Sequence, residues 1–139
     1  DSKAAGLYMI CTLSKHEAER QGYSESLMLD HEGNVAESTS ANIFFKDSGG
    51  DLHTPIPDCF LDGITRRTVI EIAKSKNIKV HERKILPEEL KNFVGCFLTG
   101  TAAEITPVSK IAENNYKVCD LIIDLSSSYG KLVRKKKAA

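Results

Sequence analysis

Four short stretches of the chain carry residue types that could do chemistry. Lys3 opens Lys-Ala-Ala-Gly-Leu-Tyr8, a primary amine followed by small residues. An amine attacks an aldehyde only when deprotonated, so a lysine with a reference pKa of ~10.4 needs a desolvated or cation-flanked position. Glu37 opens Glu-Ser-Thr-Ser-Ala-Asn-Ile-Phe-Phe45: an acidic residue, a small polar turn and the start of a strand. Gly63-Ile64-Thr65 opens a helical pattern. Free backbone N–H groups and the positive end of the helix dipole suit a phosphate there, and Thr65 adds a hydroxyl. Thr99-Gly100-Thr101-Ala102-Ala103 is a tight loop, not a P-loop, because the lysine and the glycine spacing are absent. Taken singly, each has a plain reading. Lys3 would be a solvated terminal charge, Tyr8 a core aromatic, Glu37 a strand-end carboxylate in water, and the two glycine stretches an ordinary helix start and a hairpin turn.

The elements that must position these residues follow from periodicity. Leu7, Ile10, Cys11 and Leu13 ahead of a charged run predict an amphipathic helix to about Gln21, ended by Gly22. Ser26–Asp30 reads as a strand, His31–Asn34 as a turn using Gly33 and Asn34, and Val35-Ala36 as the return strand. Asn42–Phe45 and Leu52–Thr54 predict a second hairpin around Asp47–Asp51. Pro55 and Pro57 break structure. Gly63–Ser75 predicts a helix with Val69, Ile70, Ile72 and Ala73 inward and Asp62 at the N-cap position. Strands follow at Ile78–His81, Cys96–Thr99 and Ile105–Val108, with a helical turn at Pro87–Lys91. A closing helix from Val118 is expected to fray into a basic tail over 134–139. Strands paired as hairpins among helices argue for a single mixed α+β domain.

Composition narrows the function classes. At 139 residues the chain is long enough for one domain, and 41% apolar with 27% charged residues is ordinary for a globular protein. Lys plus Arg balances Asp plus Glu, so nothing favours nucleic acid or a membrane surface as a partner. No apolar run approaches a spanning helix. Cys11, Cys59, Cys96 and Cys119 show no C-x-x-C pair and read as reduced, mostly buried thiols of a cytoplasmic protein. His16-Glu-Ala-Glu-Arg20 lacks a second histidine. His31, His53 and His81 share no ligand spacing, so no metal site is expected.

The order Glu37, Asn42, Ile43, Phe44, Leu52, Thr54, Leu61, Gly63, Ile64, Thr65, Arg66 resembles the defining pattern of the class IV, or fold-type IV, pyridoxal-phosphate aminotransferases. Gly-Thr-Ala-Ala-Glu-Ile-Thr-Pro-Val108 resembles their branched-chain members most, and the likeness runs from Lys3 to about Ile111. The resemblance implies the pseudo-barrel C-terminal domain of that fold, with pyridoxal 5'-phosphate as cofactor. Lys3 would be the Schiff-base lysine and catalytic base, with Tyr8 bonding the ring oxygen and Glu37 facing the pyridine nitrogen. Gly63, Ile64, Thr65, Gly100 and Thr101 would hold the phosphate. The loop of Thr101 and Ala102 would place the substrate carboxylate.

The same resemblance makes residues 1–139 the larger, C-terminal domain, with the smaller N-terminal domain absent. The implied reaction moves an amino group between a branched-chain amino acid and 2-oxoglutarate. D-amino acid transamination ranks second and aminodeoxychorismate lyase chemistry third. A reading from another class makes the chain a non-catalytic orphan domain of a truncated or split gene. An apolar face where the smaller domain would dock favours a homodimer, or a separate N-terminal-domain chain, as partner.

Overall fold

A computed structural model of the chain describes residues 27–38, 41–57, 63–101 and 104–138. The helix predicted over Leu7–Gln21 lies outside them. Asp30 builds the first hairpin. β1 (Leu27–Leu29) and β2 (Val35–Ser38) pair antiparallel, and Asp30 Oδ1 accepts the backbone N–H groups of Glu32 and Asn34 at 2.9 Å each. Gly33 sits at φ +86°, a conformation that glycine adopts without strain. The second hairpin, β3 (Asn42–Lys46) with β4 (Leu52–Thr54), repeats the device. Asp47 Oδ1 accepts the N–H groups of Gly49 and Asp51 at 2.9 and 3.0 Å.

β1 and β2 form a sheet of their own, whereas β3 and β4 join a five-stranded sheet in the order β5-β4-β3-β6-β7. β6 (Gly95–Gly100) runs antiparallel to both β3 and β7 (Glu104–Pro107). β5 (Val80–Glu82) runs parallel to β4, and a parallel pair needs a crossover. The helix α1 (Ile64–Ser75) supplies it. A short pair, β8 (Lys110–Ile111) with β9 (Asn114–Asn115), leads to the closing helix α2 (Asp120–Ala138). The fold is the mixed α+β arrangement expected, with one β-α-β unit among the hairpins.

Both faces of the sheet are covered, which is why Asn42–Phe45 reads as an unbroken run rather than an alternation. Ile43, Phe45, Cys96 and Leu98 pack with Val35, Ile85, Leu90, Phe93 and Tyr116 on one side. Phe44 and Phe97 face the helices and pack with Val69, Ile70, Ala73, Ile122, Leu125 and Tyr129. The rings of Phe44 and Phe97 stack at 5.0 Å. Cys96 is a buried free thiol and Cys119 a half-buried one. No helix among the described residues is long and apolar enough to cross a membrane.

Three boundaries and the burial of one residue differ from the sequence expectation. The N-cap of α1 is Gly63, extended at φ −65°, ψ 148°, with no side-chain cap, and not Asp62, which lies outside the described residues. Ile72 is half-buried, at the rim of the helix-side core. β5 begins at Val80 instead of Ile78. Asn77 takes φ +60°, and the N–H groups of Ile78 and Asn77 bond Ala73 O and Lys74 O at 3.0 Å each. That is a Schellman cap, which spends Ile78 on ending the helix. α2 continues through Ala138 instead of fraying at Arg134. Lysine and arginine are good helix formers, and their charge complements the C-terminal end of the dipole.

Candidate functional site

At one end of the sheet, the start of β3 and the end of β6 meet the start of α1. Asn42 and Thr99 are register partners and, two residues from Phe44 and Phe97, fall on the helix-covered face. Asn42 is 6% exposed, and its Oδ1 accepts the Gly63 N–H at 3.2 Å. A Cβ on Gly63 would stand 2.8 Å from that same oxygen. A side chain at this position would therefore displace Asn42 Oδ1, while the φ itself is an ordinary one.

The first intrahelical bond of α1 runs from Arg67 N–H to Gly63 O at 3.1 Å, so the N–H groups of Ile64 and Thr65 precede the ladder. The Ile64 side chain is 75% exposed, leaving its backbone as the part that can serve a ligand at the helix start. Thr65 is buried, with Oγ1 3.3 Å from the Tyr129 hydroxyl on α2. Thr99 is fully buried, and its Oγ1 has no partner among the described residues. Gly100 follows it at the end of β6, opposite Glu104, and Thr101 is exposed.

Arg66, 1% exposed, braces this end from below. Its Nη2 donates to Pro55 O at 3.0 Å and Glu82 Oε1 at 2.9 Å, tying the chain that leads into α1 to β5.

Glu37 lies on β2. The chain turns immediately after it, with Ser38 N–H and Oγ both bonding Ala41 O, and β2 packs against β3. Burial pushes the Glu37 carboxyl up to about 7. No cation or hydrogen-bond donor among the described residues offsets that desolvation. A carboxylate so placed favours a cationic partner, while the start of α1 favours an anionic one. The donor set therefore suits a ligand with a protonatable ring at one end and a phosphate at the other.

The structure thus brings Gly63, Ile64, Thr65 and Gly100 of the expected set to one end of the sheet. Lys3, Tyr8 and Ala102 lie outside the described residues. Sequence reasoning carried Asn42 only as a pattern position and gave Thr99 and Tyr129 no role. Asn42 had a signal, a polar residue opening an apolar strand. Tyr129 had none, because only tertiary packing brings α2 to Thr65.

A second polar cluster stands on β4, β5 and the chain that follows. His53 Nε2 lies 2.7 Å from Asp47 Oδ2, and its Nδ1 accepts Arg83 Nε–H at 3.1 Å. The Arg83 donor fixes the tautomer, so His53 donates from Nε2. Arg83 also grips Glu89 at 2.7 Å, holding that carboxyl below its usual range. His81 stacks on His53 at 4.7 Å and meets Asp51 at 2.9 Å. These histidines are satisfied by partners, as expected, and no group of His, Cys, Asp or Glu among the described residues could hold a metal.

The fold is a mixed α+β domain, and comparison with known proteins says of which class. The family model for amino-transferase class IV matches residues 2–111, and the chain belongs to that family. Its members are pyridoxal-phosphate enzymes, so the lineage is that of a PLP-dependent transferase. A probable branched-chain-amino-acid aminotransferase of Rickettsia bellii is 45% identical over 141 residues, covering 96% of this chain and 47% of that protein. The branched-chain aminotransferase of Thermoproteus uzoniensis, solved with norvaline, superposes with a TM-score of 0.87 at 38% identity, over 92% of this chain and 43% of that one. The PLP form of the Thermobaculum terrenum enzyme gives 0.86 at 35% identity, over 91% and 42%. The chain spans about half the length of the relatives it matches.

Proposed function

We propose that the protein carrying this chain transfers an amino group between a branched-chain amino acid and 2-oxoglutarate. Residues 1–139 would be its C-terminal, cofactor-binding domain, working in the cytoplasm. The observation that carries the reading is Glu37, a half-buried carboxylate on β2 with no counter-charge among the described residues. It is the partner that a protonated pyridine nitrogen requires. The names of the relatives favour branched-chain substrates over the D-amino acid and lyase alternatives.

When bound, pyridoxal phosphate supplies an electron sink for charge developing at the substrate Cα. Glu37 holds the proton on the ring nitrogen that makes that sink effective. The N–H groups of Ile64 and Thr65 bind the phosphate at the start of α1, with Gly63 keeping the chain close to β3 and Gly100 and Thr101 closing from β6. Tyr8 bonds the ring oxygen. Lys3 would be the covalent attachment point for the cofactor and the base for the proton at Cα. Thr101 and Ala102 place the substrate carboxylate. A homodimer, or a separate N-terminal-domain chain, completes the side-chain pocket.

The test is a borohydride trap. Pyridoxal phosphate is added to the chain, reduced and mapped by peptide mass. The expected result is a stoichiometric adduct on Lys3 that Lys3→Ala abolishes, followed by amino transfer from leucine, isoleucine or valine when the N-terminal half is supplied. An adduct spread over surface lysines, unchanged by Lys3→Ala, would leave the orphan-domain reading standing.

A further inference from the structure

We infer that Tyr129 is a positioning residue for phosphate binding, acting through the Thr65 hydroxyl. The inference rests on the proposed cofactor site but goes beyond it, because α2 lies outside residues 2–111, where the family model matches. Thr65 sits in the first turn of α1 and Tyr129 in the middle of α2, and their hydroxyl oxygens are 3.3 Å apart. Both residues are buried, at 6% and 9% exposure.

Two hydroxyls that share one hydrogen bond have two protons between them, and only one proton lies in that bond. The geometry allows either hydroxyl to donate, and a phenol is a stronger donor than an aliphatic alcohol, which favours Tyr129 as donor and Thr65 Oγ1 as acceptor. The Thr65 proton is then free to point elsewhere. At the start of α1 it joins the backbone N–H groups of Ile64 and Thr65, which precede the helical ladder. The Tyr129 bond thus turns Thr65 from a hydroxyl of undetermined direction into a donor aimed at an anion. Ile122 and Leu125 on the same helix are fully buried against the sheet and hold the phenol in place.

The experiment compares two ligands that differ only in the phosphate. Binding of pyridoxal phosphate and of pyridoxal to the chain is measured for the parent, Tyr129→Phe, Thr65→Val and the double variant, with thermal midpoints recorded for each. Removing one neutral hydrogen bond corresponds to about a three- to tenfold change in affinity. Tyr129→Phe is expected to weaken pyridoxal phosphate by that factor and leave pyridoxal unchanged. In the Thr65→Val background it is expected to have no further effect. Equal losses for both ligands would make Tyr129 a packing residue and overturn the inference, as would effects that add in the double variant. A parent that binds normally beside an indifferent Tyr129→Phe overturns this inference alone. A parent that binds neither ligand overturns the cofactor reading as well.

Discussion

Two clusters of polar side chains, one at the start of α1 and one around His53, use similar residues to different ends. Around His53 every charge is answered. Asp47, His53, Arg83 and Glu89 form a continuous chain of hydrogen bonds, and Asp51 meets His81. At the start of α1 and on β2 the answers are missing among the described residues. Glu37 is desolvated with no counter-charge, and Thr99 is buried with an unanswered hydroxyl among the described residues. A buried polar group without a partner costs stability, so a folded chain keeps one where a ligand supplies the partner. Closed networks hold the fold, and open ones mark where something binds.

That contrast can be broken or sharpened by experiment. The largest effect is expected from Arg66→Leu, which strips the buried donor from Pro55 O and Glu82. Urea unfolding should show a loss of about 3 kcal/mol. His53→Leu should follow at about 1–2 kcal/mol, by leaving Asp47 and Arg83 each short of a partner, with cofactor affinity unchanged. Gly63→Ala should do the reverse, lowering pyridoxal phosphate affinity about tenfold (~1.4 kcal/mol). Its Cβ forces the Asn42 side chain off the helix start, with a smaller effect on unfolding. If His53→Leu abolished binding, or Gly63→Ala left it untouched, the division between the two clusters would be wrong.

The subtlest prediction concerns pH. The Glu37 pKa is raised in the fold, from 4.5 to about 7. Between those values the folded state binds more protons than the unfolded one, so stability of the unliganded chain falls as pH rises through that window. Hydrogen bonds and charge hold Glu89 low, with the Arg83 bond foremost. Burial pushes Asp47 up, but bonds from His53, Asp51 and Gly49 outweigh it and leave it low as well. These two contribute stability above their unfolded values of 4.5 and 3.8, and it is lost as pH falls through their lower folded values. Unliganded stability should therefore peak near pH 4–5. Glu37→Gln should flatten the neutral side of the curve and leave the acid side alone. A neutral limb unchanged by Glu37→Gln would show that Glu37 is solvated and not poised for a cation.

Much of this was legible in the chain itself. Gly33 and Asn34 mark one turn, and Asp47 with the glycines after it marks the other, because left-handed φ and short-range hydrogen bonds depend on a few adjacent residues. The role of Asp30 in the first turn came only with the structure. The apolar run Ile43-Phe44-Phe45 after Asn42 and the periodicity of Val69, Ile70 and Ala73 placed the central strand and its covering helix. Glu37, Gly63 and Thr65 were singled out by their places in the family pattern. The start of β5 was misplaced because Asn77 and Ile78 read equally well as a helix cap or as the approach to a strand.

The sequence by itself determined the local elements, the family pattern and the residue types of the site, since those depend on neighbours a few positions apart. The tertiary structure alone decided the parallel pairing of β4 with β5. It alone decided the seating of Asn42 under Gly63, the closure of the Asp47–His53–Arg83–Glu89 chain and the reach of Tyr129 to Thr65. Each of these joins residues distant along the chain through packing on a shared sheet. Such contacts are selected by the volume and register of the whole core, which no short window of residues encodes.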